Sequence, residues 1–117
     1  MKNLLLAGLI CLATSLTCTT SHAKSMAKIL SDSGLSPRDF TIMTEQAETL
    51  YVAVTPRKGA STKWQNDDSQ SYGVVQLVAV QGNCVLLRHL VHPKGIQKAR
   101  EIRTRRCKTS EGNWILQ

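Results

Sequence analysis

The spacing of the apolar residues changes near Ser71, and this change limits the folds that are open to the chain. Between Phe40 and Val54, apolar residues recur at the three- and four-residue spacing of an amphipathic helix with one buried face. After Ser71, short runs rich in valine and leucine are separated by turn signals. One helix followed by successive strands predicts an α+β domain, in which the N-terminal helix packs on one side of an antiparallel sheet.

The helix has a strong start signal in the segment Ser36-Pro37-Arg38-Asp39. The serine at the N-cap and the acidic residue at the third helical position can form a capping box. The proline at the first helical position fixes a backbone angle that suits a helix. Pro56 and Gly59 are residues that interrupt helices. We therefore predict a helix over residues 36–54.

The segments on either side of this helix carry weaker signals. Residues 24–33 are short and weakly apolar, so they are compatible with one or two helical turns or with a loose arm. Residues 55–71 are polar, and Trp64 is their only large apolar side chain. We interpret residues 55–71 as a linker.

The region over residues 72–117 is predicted to form a four-stranded antiparallel meander. Gly82-Asn83 is a hairpin turn signal between two β-type runs, and Pro93-Lys94-Gly95 and Glu111-Gly112-Asn113 mark the next two turns. The alternation does not decide which face of the sheet points inward. The predicted strands are residues 72–81, 84–92, 96–108 and 114–116.

The first residues of the chain have the pattern of an export signal. Lys2 precedes an unbroken apolar run over residues 4–13, which is followed by a polar stretch and by Ser21-His22-Ala23. The run is shorter than the roughly 20 apolar residues that a membrane anchor needs. We predict a signal peptide over residues 1–23, cleaved after Ala23, and one domain over residues 24–117. A buried N-terminal helix is the alternative.

A lipid-anchored form is a second alternative for the N-terminus, and the sequence does not favour it. A bacterial lipoprotein signal has a leucine three residues before the modified cysteine, whereas Ser15 stands there before Cys18 and Gly8 before Cys11. No later run is apolar enough to cross a bilayer. We therefore expect a mature chain without a transmembrane segment, exported to the periplasm, to the outer membrane or to the medium.

Two cysteines, Cys84 and Cys107, remain after cleavage of the predicted signal peptide. An even pair in an exported protein most simply forms a disulfide. The bond would close a loop of roughly two dozen residues and stabilise the domain by about 3 kcal/mol. A reactive thiol pair or a metal pair is the alternative, although no third ligand lies nearby in the sequence.

Positive charge is concentrated in the last third of the chain. The whole chain has a net charge of +7, and from Arg88 onward eight basic residues accompany only Glu101 and Glu111. The pattern predicts an anion-binding face, because guanidinium groups match phosphate and carboxylate. An edge strand whose charges block unwanted pairing is the alternative. The candidate anion-binding residues are Arg88, Lys98, Arg100, Arg103, Arg105, Arg106 and Lys108.

Strand alternation divides the arginines of this region. Arg100 and Arg106 are expected on one side of the strand, and Arg103 and Arg105 on the other. Aromatic residues are nearly absent among these cations, and the chain is expected to be exported, so we do not expect a nucleic-acid partner.

No residue pattern predicts catalysis or metal binding. His89 and His92 are three residues apart, which separates them on a strand with its period of two, and no acidic residue follows closely. Asp67-Asp68 lacks the alternating ligands of a calcium loop and is interpreted as a solvated turn. We predict no catalytic residue, no metal site and no cofactor.

Between Trp64 and Leu116 the chain contains, in this order, Trp64, Asn66, Ser69, Gly73, Val75, Cys84, Arg88, Cys107, Gly112, Asn113 and Trp114. This ordered set resembles the C-terminal domain of the rickettsial surface-antigen family of bacterial outer-membrane proteins. The resemblance implies an envelope protein of a Gram-negative bacterium with a small β-rich domain and no established catalysis. The family's glycine-rich segment and lipid-modified cysteine are missing here, and Arg88 lies further from Cys84 than in the family.

Together these features predict an exported, non-enzymatic envelope protein. It would bind an envelope component or a partner protein, partly through its basic face. Trp64 and Trp114 are expected to be core anchors of the sheet, because an indole buries a large apolar area. A small secreted inhibitor or hydrolase, and a purely structural role, are the alternatives.

Overall fold

The structure is a computed structural model that describes residues 26–117. The predicted signal peptide lies outside the described residues. Two helices precede a five-stranded sheet, and a short 3-10 turn over Pro93–Gly95 follows the third strand. The helices are α1 (Met26–Ser33) and α2 (Pro37–Glu48), and the strands are β1 (Ser61–Asn66), β2 (Ser71–Gln81), β3 (Cys84–His92), β4 (Arg100–Lys108) and β5 (Trp114–Leu116).

The sheet is an antiparallel meander in which each strand pairs with its neighbours in the sequence. The α+β class and the meander are therefore confirmed. The predicted numbers of elements were wrong, because the structure has five strands rather than four and two helices rather than one. The Gly82-Asn83 turn lies where the sequence predicts it, and Gly82 has a φ of +58°, which glycine adopts without strain.

The additional strand, β1, lies inside the segment that the sequence analysis interprets as a linker. Trp64 and Asn66 point inward and are buried, while Lys63 and Gln65 are exposed. An edge strand with one polar face contains few apolar residues, so its composition resembles that of a loop. Pairing with β2, rather than its own composition, holds this segment as a strand.

The second helix ends at Glu48, six residues before the predicted end at residue 54. Thr49 is the C-cap, and Leu50 and Tyr51 then enter the core from a turn. Both side chains continue the helical spacing of apolar residues although the backbone has left the helix. This is why the pattern of apolar residues overestimates the length of α2.

The start of β4 also differs from the prediction. The sequence predicts a strand from residue 96, and the structure begins it at Arg100. The turn over Pro93–Gly95 contains Lys94 at a φ of +51°, and residues 96–99 form no regular element. Four exposed residues therefore separate the turn from the strand.

The core lies between the helices and one face of the sheet, which we call the inner face. Helix α2 packs against β1 and β2, and α1 contacts β4. No helix of residues 26–117 is long and apolar enough to cross a membrane. The large apolar core side chains are Ile29, Leu35, Phe40, Met43, Leu50, Tyr51, Trp64, Leu77, Leu87 and Ile102.

Candidate functional site

The opposite side of the sheet, which we call the outer face, has no helix of the described residues over it. The strand register arranges its side chains in rows that run across the strands. Gln76, Arg88 and Arg103 form the central row. The outer face comprises Ser61, Lys63, Gln65, Tyr72, Val74, Gln76, Val78, Ala79, Gln81, Cys84, Leu86, Arg88, Leu90, His92, Glu101, Arg103, Arg105, Cys107 and Ile115.

The rows on either side of the centre combine aliphatic and charged side chains. Val74, Leu90 and Glu101 form one of these rows, with Lys63 at its edge. Leu86 and Arg105 pair in the other. The leucines and Val74 are only partly buried. The outer face therefore presents both positive charge and aliphatic surface to solvent.

A carboxylate lies between two of the arginines. The Nε of Arg88 donates to Oε1 of Glu101, and a guanidinium nitrogen of Arg103 lies 3.2 Å from the same oxygen. The hydrogen bond from Arg88 and the charges of both arginines hold the pKa of Glu101 below its usual value. Such exposed ion pairs contribute little to folding, but they orient the guanidinium groups.

Arg105 lies beside the disulfide, with a guanidinium nitrogen 3.5 Å from Sγ of Cys84. No salt bridge to Arg105 occurs within residues 26–117. Among residues 26–117, the outer face carries Lys63 and three arginines but one acidic side chain, Glu101, so this part of the sheet has net positive charge.

The structure does not bring all seven candidate anion-binding residues together. Arg88, Arg103 and Arg105 lie on the outer face, as the strand alternation predicts for the last two. The other four lie elsewhere: Arg100 donates to the carbonyl of Ser33 in α1, Arg106 lies half-buried on the inner side, Lys98 is in the loop before β4, and Lys108 is exposed at the end of β4.

Two shallow depressions lie on the outer face. One has a volume of about 190 Å³ and is lined by Ser61, Val74, Gln76, Arg88 and Leu90. The other has a volume of about 220 Å³, and Val78, Leu86, Arg103 and Arg105 contribute to its lining. Each depression thus combines aliphatic side chains with at least one arginine.

The disulfide predicted from the cysteine count is present. It joins Cys84 of β3 to Cys107 of β4, which are directly paired with their Cα atoms 4.0 Å apart. It connects adjacent strands at one end of the outer face. Asn83 adds a hydrogen bond of 2.7 Å from Nδ2 to the carbonyl of Lys108 at the same end. The backbone that carries Arg105 is therefore held at its C-terminal side.

The tryptophan–glycine part of the resemblance has a packing role. Trp64 is 4 % exposed and pairs across the strands with Gly73. A Cβ at Gly73 would lie 2.5 Å from the carbonyl oxygen of Leu90 and 2.8 Å from Nε1 of Trp64. Only glycine leaves room for the indole at this position.

The second tryptophan also belongs to the core side. Trp114 is half-buried and contacts Tyr51 edge-on, with ring centroids 4.8 Å apart. Gly112 has a φ of +88° in the turn that leads into β5. Both tryptophans therefore contribute to packing, as expected, and neither lies on the outer face.

The asparagine of the resemblance binds a buried carboxylate whose wider role the sequence analysis did not identify. Asp39 closes the capping box with Ser36, and its Oδ1 also accepts hydrogen bonds from Asn66 at 2.7 Å and Ser69 at 2.6 Å. Ser71 donates to Oδ2 at 2.9 Å. No sequence signal links position 39 to residues 66–71, because this contact is made only in the folded chain.

These hydrogen bonds set the ionisation of Asp39. Burial favours the neutral acid, but the donors from Ser69, the Ser36 amide, Asn66 and Ser71 favour the carboxylate by more, so the pKa of Asp39 lies below its usual value. Asp39 is 1 % exposed, and no salt bridge to it occurs in the described part of the chain. Neutral donors alone hold this negative charge, and they join α2 to the β1–β2 turn.

The two histidines occupy different environments. His89 is 2 % exposed, and its Nε2 lies 2.9 Å from the hydroxyl of Thr104. Burial, and to a lesser extent the charge of Arg106, lowers its pKa to about 4. Nδ1 of His92 lies 2.9 Å from the carbonyl oxygen of Ile96, and the imidazole ring stacks on the ring of Tyr72. Within residues 26–117, neither histidine is hydrogen-bonded to a carboxylate, whereas the hydrolase alternative requires such a partner.

Comparison of the chain with protein-family models, with curated proteins and with solved structures finds no significant match. The resemblance to the surface-antigen family therefore stays a prediction. Among residues 26–117, no group of three histidine, cysteine or acidic side chains could hold a metal ion.

Proposed function

We propose that this chain is an exported, non-enzymatic binding module of the bacterial envelope, and that its outer face holds an anionic ligand. The observation that carries the proposal is the position of Arg88, Arg103 and Arg105. All three lie on the side of the sheet opposite the core, where, within residues 26–117, the carboxylate of Glu101 pairs with Arg88 and Arg103. The export signal predicted over residues 1–23 supports the envelope location.

The geometry of the sheet supports recognition of anions by the arginines acting together. Arg88 and Arg103 are cross-strand partners, and Arg105 lies two residues further along β4 on the same face. Directly paired residues on adjacent strands have their Cβ atoms about 5 Å apart. Several guanidinium groups can then contact neighbouring phosphate or carboxylate groups of one ligand.

The sheet also holds these arginines on a rigid support. The arginines lie on β3 and β4, which are inner strands of a continuous five-stranded antiparallel sheet. The disulfide joins these two strands beyond Arg105. Side chains on such a scaffold lose less freedom on binding than side chains on a loop.

The test measures binding of polyphosphate, a soluble polyanion, to the purified chain by calorimetry at two salt concentrations. We expect the triple variant Arg88→Ser/Arg103→Ser/Arg105→Ser to lose affinity at least tenfold, which corresponds to about 1.4 kcal/mol. We expect binding by the unmodified chain to weaken as salt rises, because exposed charges are screened.

A control variant with the same change in charge shows whether position matters. Arg38, Arg57 and Lys58 are exposed and lie in α2 and in the loop before β1. Replacement of these three by serine should lower affinity less than threefold. Equal losses in the two triple variants would show that net charge alone binds the polyanion, and the proposal would be wrong.

A further inference from the structure

We infer that the ligand of the outer face is the surface of an anionic phospholipid bilayer. This inference rests on the proposed function and specifies its ligand. It uses the aliphatic side chains of the outer face, which a purely ionic ligand would leave in water.

Aliphatic residues lie on both sides of the central arginine row. Val74 and Leu90 line one depression, and Leu86 and Val78 line the other. Arginine side chains reach along apolar surface with their methylene groups and place the guanidinium at a polar boundary. The outer face thus has the two components that a lipid surface binds: hydrocarbon contact for the aliphatic groups and phosphate for the arginines.

Each end of the outer face carries one exposed side chain with a large apolar surface. Tyr72 is 41 % exposed at one end, stacked on His92, and Ile115 is 43 % exposed at the other, beside the disulfide. A tyrosine with an apolar ring and a polar hydroxyl is typical of the boundary between lipid and water. Charge therefore occupies the middle of the face and apolar groups extend beyond it.

The shape of the outer face argues against a compact small-molecule ligand. Its depressions have volumes of about 190 and 220 Å³. Pockets that enclose small ligands are larger, about 300–1,000 Å³. Neither of these two depressions encloses a compact ligand, whereas an extended surface can contact several rows of side chains at once.

Charge argues against a second copy of this chain as the occupant. A two-fold contact between outer faces brings the same patch of each copy together, so arginines would face arginines. Like charges at such a contact are unfavourable. The complementary occupant must be anionic.

The residue types favour a bilayer over an acidic protein. Protein interfaces are commonly anchored by a tryptophan, tyrosine or arginine that enters a well-packed pocket. Trp64 and Trp114 both lie on the inner side of this sheet, and Tyr72 is stacked on His92 at one end of the outer face. The apolar side chains on either side of the central arginine row are short aliphatic groups. Hydrocarbon needs no matching pocket, so it suits these side chains better.

The experiment measures cosedimentation of the chain with phosphatidylcholine vesicles that contain phosphatidylglycerol. The key variant is Leu86→Ser/Leu90→Ser, which leaves the charge unchanged. We expect its vesicle affinity to fall roughly tenfold, because two aliphatic groups no longer contact lipid. Its affinity for polyphosphate should remain that of the unmodified chain, and a cooperative urea unfolding curve shows that the variant is folded.

Two controls isolate the outer face. Val52→Ser/Val54→Ser removes two aliphatic side chains, 48 % and 54 % exposed, from the loop after α2 and should change vesicle affinity less than twofold. All proteins carry the same N-terminus, verified by mass spectrometry, so any contribution of residues 1–25 is equal. The Arg88/Arg103/Arg105 triple variant should lose both ligands.

The outcomes separate this inference from the proposed function. If the leucine variant binds vesicles as tightly as the unmodified chain, the lipid inference is wrong. The anion-binding function is not affected by that outcome. Arginine-dependent binding of polyglutamate without binding to vesicles has the same consequence and indicates an acidic protein. Polyphosphate binding that does not depend on the three arginines overturns the proposed function itself.

Discussion

The two faces of the sheet are made by the same strands but differ in what covers them. Along β3, Val85, Leu87 and Val91 on the inner face are at most 1 % exposed, whereas Leu86 and Leu90 between them are only partly buried. Leucine occurs on both faces, so hydrophobicity alone does not decide burial in this strand. The helices do, and they leave the outer face with aliphatic groups that a partner can cover.

The two sides of the sheet also differ in how their charged side chains are stabilised. On the covered side, Asp39 is buried and satisfied by four neutral donors. On the outer face, Arg88 and Arg103 share one exposed carboxylate. We therefore expect substitutions on the covered side to change stability strongly and substitutions on the outer face to change it little.

The largest effect is expected for Asp39→Ala. The substitution leaves the Ser36 amide, Asn66, Ser69 and Ser71 without their acceptor in a buried site. We expect the free energy of unfolding to fall by about 4 kcal/mol, measured by urea denaturation.

Asp67→Asn is the control for Asp39, because Asp67 is exposed in the turn between β1 and β2. It should change stability by less than about 0.5 kcal/mol. Similar values for the two variants would contradict the role assigned to the buried carboxylate.

The second effect is a loss of stability in acid caused by His89. Its pKa is about 4 in the folded chain and 6.5 otherwise, so the unfolded chain binds more protons between these values. The contribution of neutral His89 to the free energy of unfolding is therefore fully present above pH 6.5. About 3 kcal/mol of it is lost as the pH falls to 4. Urea midpoints measured across this range test the expectation.

The variant His89→Leu should flatten this part of the pH profile. The lowered pKa of Asp39 adds a separate loss only at pH values below about 4, since its ordinary value is 3.8. An unchanged slope between pH 6.5 and 4 in His89→Leu would assign the acid sensitivity to another group.

A smaller effect is expected for Gly73→Ala. The new methyl group would contact the backbone oxygen of Leu90 and the indole of Trp64 at distances that require both to move. We expect a loss of about 2 kcal/mol in thermal or urea unfolding, together with a change in tryptophan fluorescence. Val74→Ala, the next residue on the outer face, should cost less than about 1 kcal/mol. A Gly73→Ala variant as stable as the original chain would show that the indole does not need this space.

The smallest effect is expected for Arg105→Ser, compared with Arg106→Ser on the opposite face. Arg105 is exposed, so its loss should change stability by less than about 0.5 kcal/mol. Arg106 is half-buried, and its loss should cost about 1 kcal/mol through lost packing. Equal destabilisation by these two neighbours in β4 would remove the distinction between the faces.

Local signals in the sequence predict much of the fold. The capping residues of α2, the Gly82-Asn83 turn and the cysteine pair each lie where the sequence places them. The cap and the turn are determined by residues close together in the sequence. The disulfide follows from the number of cysteines. The strand β1 and the end of α2 depend instead on pairing with β2 and on the packing of Leu50 and Tyr51, which no local pattern contains.

The candidate site is predictable to a smaller extent. The concentration of basic residues identifies the right region, and alternation separates Arg103 and Arg105 from Arg100 and Arg106. Selection of the outer face requires knowledge of which side the helices cover. The contacts of Asp39 are the least predictable feature, because its partners Asn66, Ser69 and Ser71 lie 27, 30 and 32 residues away.

The position of Asp39 has a consequence for the order of folding. Its bonds with Ser36 span three residues, so the start of α2 can form early from local contacts. Its bonds with residues 66–71 require the turn between β1 and β2 to be closed already. We therefore expect the docking of α2 on the sheet to depend on the register of the β1–β2 hairpin, because Asp39 meets Asn66, Ser69 and Ser71 only when that hairpin is formed.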